Sequence, residues 1–327
     1  MKHRRHRILH LSYKITVGVL VLALCSNARA ADSPWQMTGS AQAYWQNYSG
    51  SDSRDNAFNA GYYAMADYLD TTTLGVAYNY SLVNLANNAD ITEHLFYLSG
   101  RHSLYPDALP GRLTLRVDAY FGKDTLAYNN KSSSSGGGMG GGSSSTAIPD
   151  ETTNITAWQP VVSFINYSKT LYLDLGYAYS NYDGNPDVKA SQLTPTFGFG
   201  WNDSYDWLQL RAYLISLDEK TALFNDDRFT SLEVQYSHWY PDAALPQIEF
   251  LRVTLLGGER ALAVDPDAGA LYSTADRQTG SLAFSLQWKL NPTLKVLAMA
   301  GYGKYKTDAT ADDYDSLLFY MNLQHQW

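Results

Sequence analysis

Arg112-Leu113-Thr114-Leu115-Arg116-Val117-Asp118-Ala119-Tyr120-Phe121 alternates residue by residue between two faces. Leu113, Leu115, Val117, Ala119 and Phe121 share one face, and Arg112, Thr114, Arg116, Asp118 and Tyr120 share the other. Successive side chains of a strand point to opposite sides, whereas a 3.6-residue period would scatter these apolar positions around a helix axis. The pattern returns in Leu171, Leu173, Leu175, Tyr177 and Tyr179 against Tyr172, Asp174, Gly176 and Ser180. It returns again in Leu282, Phe284, Leu286 and Trp288 against Ser281, Ser285, Gln287 and Lys289.

Followed along the chain, this period of two predicts fourteen strands. They fall near 35–47, 57–69, 71–84, 91–103, 112–124, 154–167, 169–181, 189–201, 206–217, 228–240, 247–260, 278–290, 293–305 and 314–327. The phase slips between Phe250 and Leu251, which predicts a β-bulge there. Tight connections at Asp70-Thr71, Ser168-Lys169, Asn202-Asp203-Ser204-Tyr205 and Asn291-Pro292 alternate with longer ones, including 125–153 and 261–277.

Composition narrows the class. The 327 residues are 17% charged, against about 25% in soluble domains, and include 26 Tyr and 8 Trp. No apolar run beyond the N-terminus reaches the roughly 18 residues of a spanning helix. Aromatic residues are too plentiful for a disordered chain. A soluble sandwich or solenoid would also alternate, but its strands average about five or six residues. Many here are ten or longer, with Trp35, Trp45, Trp158, Trp201, Trp207, Trp239 and Trp288 towards their ends. Two interfacial aromatic girdles account for that placement. The expected fold class is all-β, a transmembrane antiparallel up-and-down β-barrel of about 14 strands, with short periplasmic turns and longer extracellular loops.

Residues 1–30 read as a signal peptide, with Lys2, Arg4, Arg5 and Arg7, an apolar stretch from Ile15 to Leu24, and Ala28-Arg29-Ala30. Leu24 before the lone Cys25 departs from a lipobox, so cleavage is expected after Ala30. The segment holds six of the 24 Lys and Arg and none of the 32 Asp and Glu, leaving 18 against 32, net −14, over 31–327. That balance gives no electrostatic case for nucleic acid. Residues 31–327 contain no cysteine, which excludes disulfides and haem-attachment motifs, and no cofactor is expected.

The chain ends Leu317-Leu318-Phe319-Tyr320-Met321-Asn322-Leu323-Gln324-His325-Gln326-Trp327. Phe319, Met321 and Leu323 leading to terminal Trp327 resemble the C-terminal signal strand of Gram-negative outer-membrane β-barrels. Trp in place of the commoner Phe, and His325 where an apolar residue is usual, depart from that pattern. In size and strand count the chain is similar to fourteen-stranded monomeric porins; the same count occurs in lipid-substrate transporters and export barrels. The resemblance implies residence in the bacterial outer membrane after secretion to the periplasm. It also implies recognition by the barrel-assembly machinery and contact with outer-membrane lipid and lipopolysaccharide.

If the polar faces point inward, Arg101, Arg112, Arg116, Asp118, Asp174, Arg211, Glu233, Arg252, Lys289 and Lys295 are the pore-lining candidates. Arg101, Arg112, Arg116 and Asp118 form the best local cluster. For any single lumen charge, cross-strand pairing that braces the wall is the simplest account. A wall bearing both signs suits passive or weakly selective passage of small polar solutes or ions.

The Gly/Ser tract within 125–153 predicts a flexible external tether rather than a constriction. Asp226-Asp227, Asp265-Pro266-Asp267 and Asp312-Asp313-Tyr314-Asp315 read as a solvated acidic rim, since none has the spacing of a calcium loop.

An enzyme is not expected. His94 and His102 fall on the lipid-facing phase, His238 in an interfacial belt and His325 in the last strand, with no HExxH, GxSxG or close carboxylate–His cluster. The alternatives are an export or assembly barrel working with a periplasmic partner, and a closed structural or adhesive surface barrel.

Overall fold

The structure, a computed structural model, describes residues 33–86, 89–128, 151–184, 186–218, 223–242, 244–265, 267, 269–272 and 276–327. The expected signal peptide and the Gly/Ser tract lie outside them. The strands are β1 (Trp35–Ser49), β2 (Arg54–Tyr68), β3 (Thr72–Leu85), β4 (Ala89–Leu104), β5 (Gly111–Tyr128), β6 (Glu151–Asn166), β7 (Leu171–Asp183) and β8 (Val188–Trp201). They continue with β9 (Asp206–Leu217), β10 (Arg228–Trp239), β11 (Gln247–Arg260), β12 (Val264–Asp265), β13 (Ala270–Leu271), β14 (Arg277–Lys289), β15 (Leu294–Thr307) and β16 (Asp312–Gln326).

All but β12 and β13 build one closed antiparallel barrel of fourteen strands, in which β11 pairs with β14 and β1 closes on β16. The seam runs from Thr38 opposite Gln326 to Ser49 opposite Asp315, so no edge strand is left open. Each predicted strand overlaps one barrel strand.

The alternation sorts side chains as membrane insertion requires. Leu115, Val117, Phe121, Leu173, Leu175, Leu282 and Phe284 stand exposed on the outside, where lipid would cover them. Asp118, Gln159, Gln192, Thr194, Arg211 and Ser237 are buried within. The phase slip is real: the β11–β14 register shifts between Ile248 and Phe250, so Glu249 is the extra residue. A second shift falls between Gly257 and Arg260. There Gly258 holds φ +93°, and a Cβ would stand 2.5 Å from the Thr230 carbonyl oxygen, so only glycine fits.

The start of β1 and the end of β16 lie at one rim, where Met37 and Trp327 exchange backbone hydrogen bonds of 3.1 and 3.0 Å. The tight connections share this terminal rim, with left-handed backbone at Leu69, Asp70, Lys169, Asn202, Asp203 and Ser204. Trp35, Trp45, Trp158 and Trp201 face outward. Trp207 does not: its ring lies on the same side as Gly198 and Gly200, within the barrel, because those glycines leave room for it. Trp239 also turns inward, against Phe250, whose ring carries Arg252.

The largest departure concerns the described residues 261–265, 267 and 269–272 of the connection 261–277, expected as an external loop. They fold into the barrel from the opposite rim, with Ala261, Leu262, Ala263 and Val264 buried among Tyr182, Tyr213, Ile215 and Phe229. Water would solvate this apolar run poorly, and the inward faces of the barrel walls cover it. Gln192 of β8 imitates a neighbouring strand, donating from Nε2 to the Val264 carbonyl (2.7 Å) and accepting the Val264 N–H at Oε1 (3.0 Å). Tyr182 donates its hydroxyl to the Leu262 carbonyl (3.4 Å), and β12 pairs with β13. Every hydrogen bond of this kind offsets the cost of carrying loop backbone away from solvent.

Candidate pore constriction

Seen from the walls, all ten candidate residues occupy the inward phase of their strands, and the ladder decides how they combine. On β4 and β5, Arg101 stands opposite Arg116. Like charges placed so repel, and each side chain leaves for an acid. Arg116 Nε lies 3.0 Å from Asp118 Oδ2 on its own strand, while Arg101 reaches Asp67 of β2 at 3.3 Å and donates to Thr73 at 2.7 Å. The expected four-residue cluster is therefore divided. Arg112 is separate from both pairs, with a buried Nε that has no hydrogen-bond partner. Asp118 also accepts from the Tyr97 hydroxyl (2.9 Å), and Asp174 accepts from that of Tyr172 (2.9 Å).

Towards the terminal rim, Lys295 donates to Glu249 at 2.6 Å, and Gln287 donates to the same carboxylate at 2.6 Å. The bulge thus supplies the acid that two neighbouring strands need. Lys289 stands 3.8 Å from the exposed Asp242. Arg252 donates from Nε to Ser237 (3.0 Å), and its guanidinium lies 5.2 Å from the Phe250 ring centre.

The most enclosed of the ion-paired arginines is Arg211 of β9, with 3% of its side-chain surface exposed. It faces Glu233 of β10 directly across the ladder, at 3.8 Å, and donates from Nε to Thr196 of β8 at 3.1 Å. The inner loop completes its shell: Nη2 donates to Asp267 Oδ2 at 2.6 Å, and Nη1 lies 3.8 Å from Asp265 Oδ1. Arg260, at the base of the loop, approaches the other Glu233 oxygen at 3.9 Å and donates to Gln278 (2.7 Å) and to the Tyr272 hydroxyl (3.1 Å). From this anchorage the loop crosses to the far wall, where a Cβ on Gly269 would lie 3.5 Å from the Tyr97 ring.

Burial by itself would push the Asp267 carboxyl up. Arg211, through charge and hydrogen bond, together with the charges of Arg116 and Arg252, holds it below the ordinary carboxylate value instead.

Asp265 and Asp267 are thus lumen groups, not members of a solvated rim; Pro266 lies outside the described residues. Asp226 does sit at the opposite rim, 3.0 Å from Arg277, but Asp312 is buried and accepts from Ser51 (2.7 Å) and Ser53 (2.8 Å). These acids brace loops to strands.

Sequence reading passed over Arg260 and Gln192, and it assigned Asp265 and Asp267 to a solvated rim. The available signal was Ala261-Leu262-Ala263-Val264, four apolar residues where a solvated loop should be polar.

Outside the barrel, His94 meets the Tyr78 hydroxyl and His102 meets Thr72 Oγ1, each at 2.8 Å, both on the outward phase as expected. His238 corrects another expectation, because a carboxylate does reach it: Nδ1 lies 2.7 Å from Asp206 Oδ1. Tyr236 donates to the same oxygen (2.7 Å) and Asn202 to the other (2.8 Å), which ties the 202–206 turn to β10. His325 stacks on Trp327, with ring centres 5.6 Å apart. Phe319 and Met321 are exposed on the outer face of β16.

No protein-family model and no curated protein sequence matches the chain. Solved structures do. The toluene transporter TodX of P. putida superposes with a TM-score of 0.50 at 9% identity, covering 90% of each chain. A TodX monoaromatic hydrocarbon channel deltaS2 mutant gives 0.52 at 8%, covering 89% of this chain and 90% of that one. The deltaS2S3 mutant gives 0.51 at 9%, covering 91% and 94%. At such identities the likeness speaks for architecture, and the architecture is that of an outer-membrane β-barrel.

Proposed function

We propose that this protein is an outer-membrane channel passing small polar solutes or ions through a lumen that the inner loop 261–272 narrows. The observation that carries this reading is the charged wall turned inward around a loop held by Arg211, Arg260 and Gln192. Arginines, carboxylates and glutamines exchange hydrogen bonds with water and polar solutes, and they offer little to a hydrocarbon. On this reading the exposed apolar belt sits in lipid and lipopolysaccharide, and Phe319, Met321, Leu323 and Trp327 present the last strand to the assembly machinery.

One observation favours a second reading, a closed structural or adhesive barrel. The loop builds an apolar core with inward residues of several walls, among them Leu95, Tyr120, Ile155 and Phe229.

Single-channel conductance of the refolded protein in a planar bilayer, under a salt gradient, separates the two. Stable ohmic steps with a measurable reversal potential are expected. A correctly heat-modifiable barrel that stays electrically silent would overturn the channel reading in favour of the closed one.

A further inference from the structure

Three arginines from separate parts of the wall act on one carboxylate of the inner loop. Arg211 on β9 donates to Asp267 at 2.6 Å, and Arg116 on β5 and Arg252 on β11 lie near enough for their charges to bear on the same group. They differ in what else they hold. Arg116 has Asp118 beside it, and Arg211 also has Glu233 and Asp265 at 3.8 Å. Among the described residues Arg252 forms no ion pair; Ser237 is its hydrogen-bond partner. Glu233 and Asp174 oppose a negative charge at this point. The arginines nevertheless prevail, because the Asp267 carboxyl stays ionised against the pull of burial.

Exposure separates the two loop acids. Asp265 has 13% of its side chain open and Asp267 has 49%, while Arg211 between them has 3%. Asp265 is therefore built in, whereas Asp267 meets the guanidinium from the open, lumen side. A carboxylate arriving through the lumen would approach Arg211 from that same side, and could take the same donors without disturbing Thr196 or Glu233. Guanidinium and carboxylate match in charge and planar geometry, so the site is suited to such a group.

We propose that Arg211 is the binding group for a carboxylate-bearing solute inside the barrel, filled in this structure by the protein's own Asp267, with Arg116 and Arg252 adding to the positive field around it. The site rests on the channel reading for its use, since a solute must enter the lumen to exchange with Asp267. The loop base, fixed by Gln192 and Tyr182 at Val264 and Leu262, stays in place while the Asp267 side chain gives way.

Calorimetric titration with acetate and with succinate at constant ionic strength tests this on the detergent-solubilised barrel. D267N should bind at least tenfold more tightly than wild type, because the competing charge is gone. R211Q/D267N should lose that gain, and D267E should behave as wild type. D267S takes the place of D267N if the latter does not reach the heat-modifiable state. Equal affinity in wild type and D267N, a gain kept in R211Q/D267N, or the same gain in D267E would each overturn the site. A conducting barrel without the D267N gain removes the site and leaves the channel; a silent barrel with the gain does the reverse.

Discussion

A guanidinium carried out of bulk water is tolerated only where acceptors meet its donors. Arg211 meets Thr196 and Asp267 within 3.1 Å and has two further carboxylates near it. Its removal strands three acids together in the lumen. R211A is expected to lower the stability of the docked loop by about 3 kcal/mol, within the range for breaking one side of a buried pair. The protein should then show faster protease cleavage within 261–276 while the barrel remains heat-modifiable; unchanged cleavage would count against Arg211 as the anchor.

The pH dependence follows from the direction of the Asp267 shift. Its pKa in the folded protein lies below that of the free side chain, about 3.9. The contribution of Asp267 to loop docking is therefore complete above that value and is lost as pH falls through the folded one. Protease sensitivity of the loop should stay constant from pH 7 to about 5 and rise only below about 4, and D267N should abolish that acid-dependent rise. A rise centred near neutrality would place control in another group.

At the scale of elements, one glutamine substitutes for a strand. Gln192 supplies donor and acceptor to Val264, as a paired backbone residue would, and buries both polar atoms. Leucine at this position keeps the volume but leaves a buried N–H and C=O without partners, a loss of about 1–3 kcal/mol each. Q192L should speed hydrogen exchange of the Val264 amide tenfold or more, with β8 itself still protected. The bulge at Glu249 works in the same way: one extra residue in β11 turns a carboxylate towards Lys295 and Gln287.

For the whole molecule, closure of β1 on β16 makes the wall, and the described residues of the inner loop fill part of the space within it. Replacing 261–276 by a short Gly-Ser turn should leave a heat-modifiable barrel whose conductance rises severalfold over wild type. An unaltered conductance would show that the narrowest point lies elsewhere.

The strand number, the approximate spans and the two-faced alternation were legible in the sequence, because a strand between lipid and lumen writes its environment in a period of two. Arg112–Phe121 carries that record within ten residues. The sequence likewise showed the slip near Phe250 to within one residue of the bulge. Partnership was not legible. Arg101 left its neighbour cluster for Asp67, Trp207 turned inward over two glycines, and Asp206 reached His238 from 32 residues away. Asp265 and Asp267 read locally as a solvated acidic segment; the folded chain carries them into the lumen. Periodicity is a local property of the strand, so sequence alone determined the wall. Where a loop docks depends on side chains from several strands meeting in space, and only the tertiary structure decided that the loop lies inside.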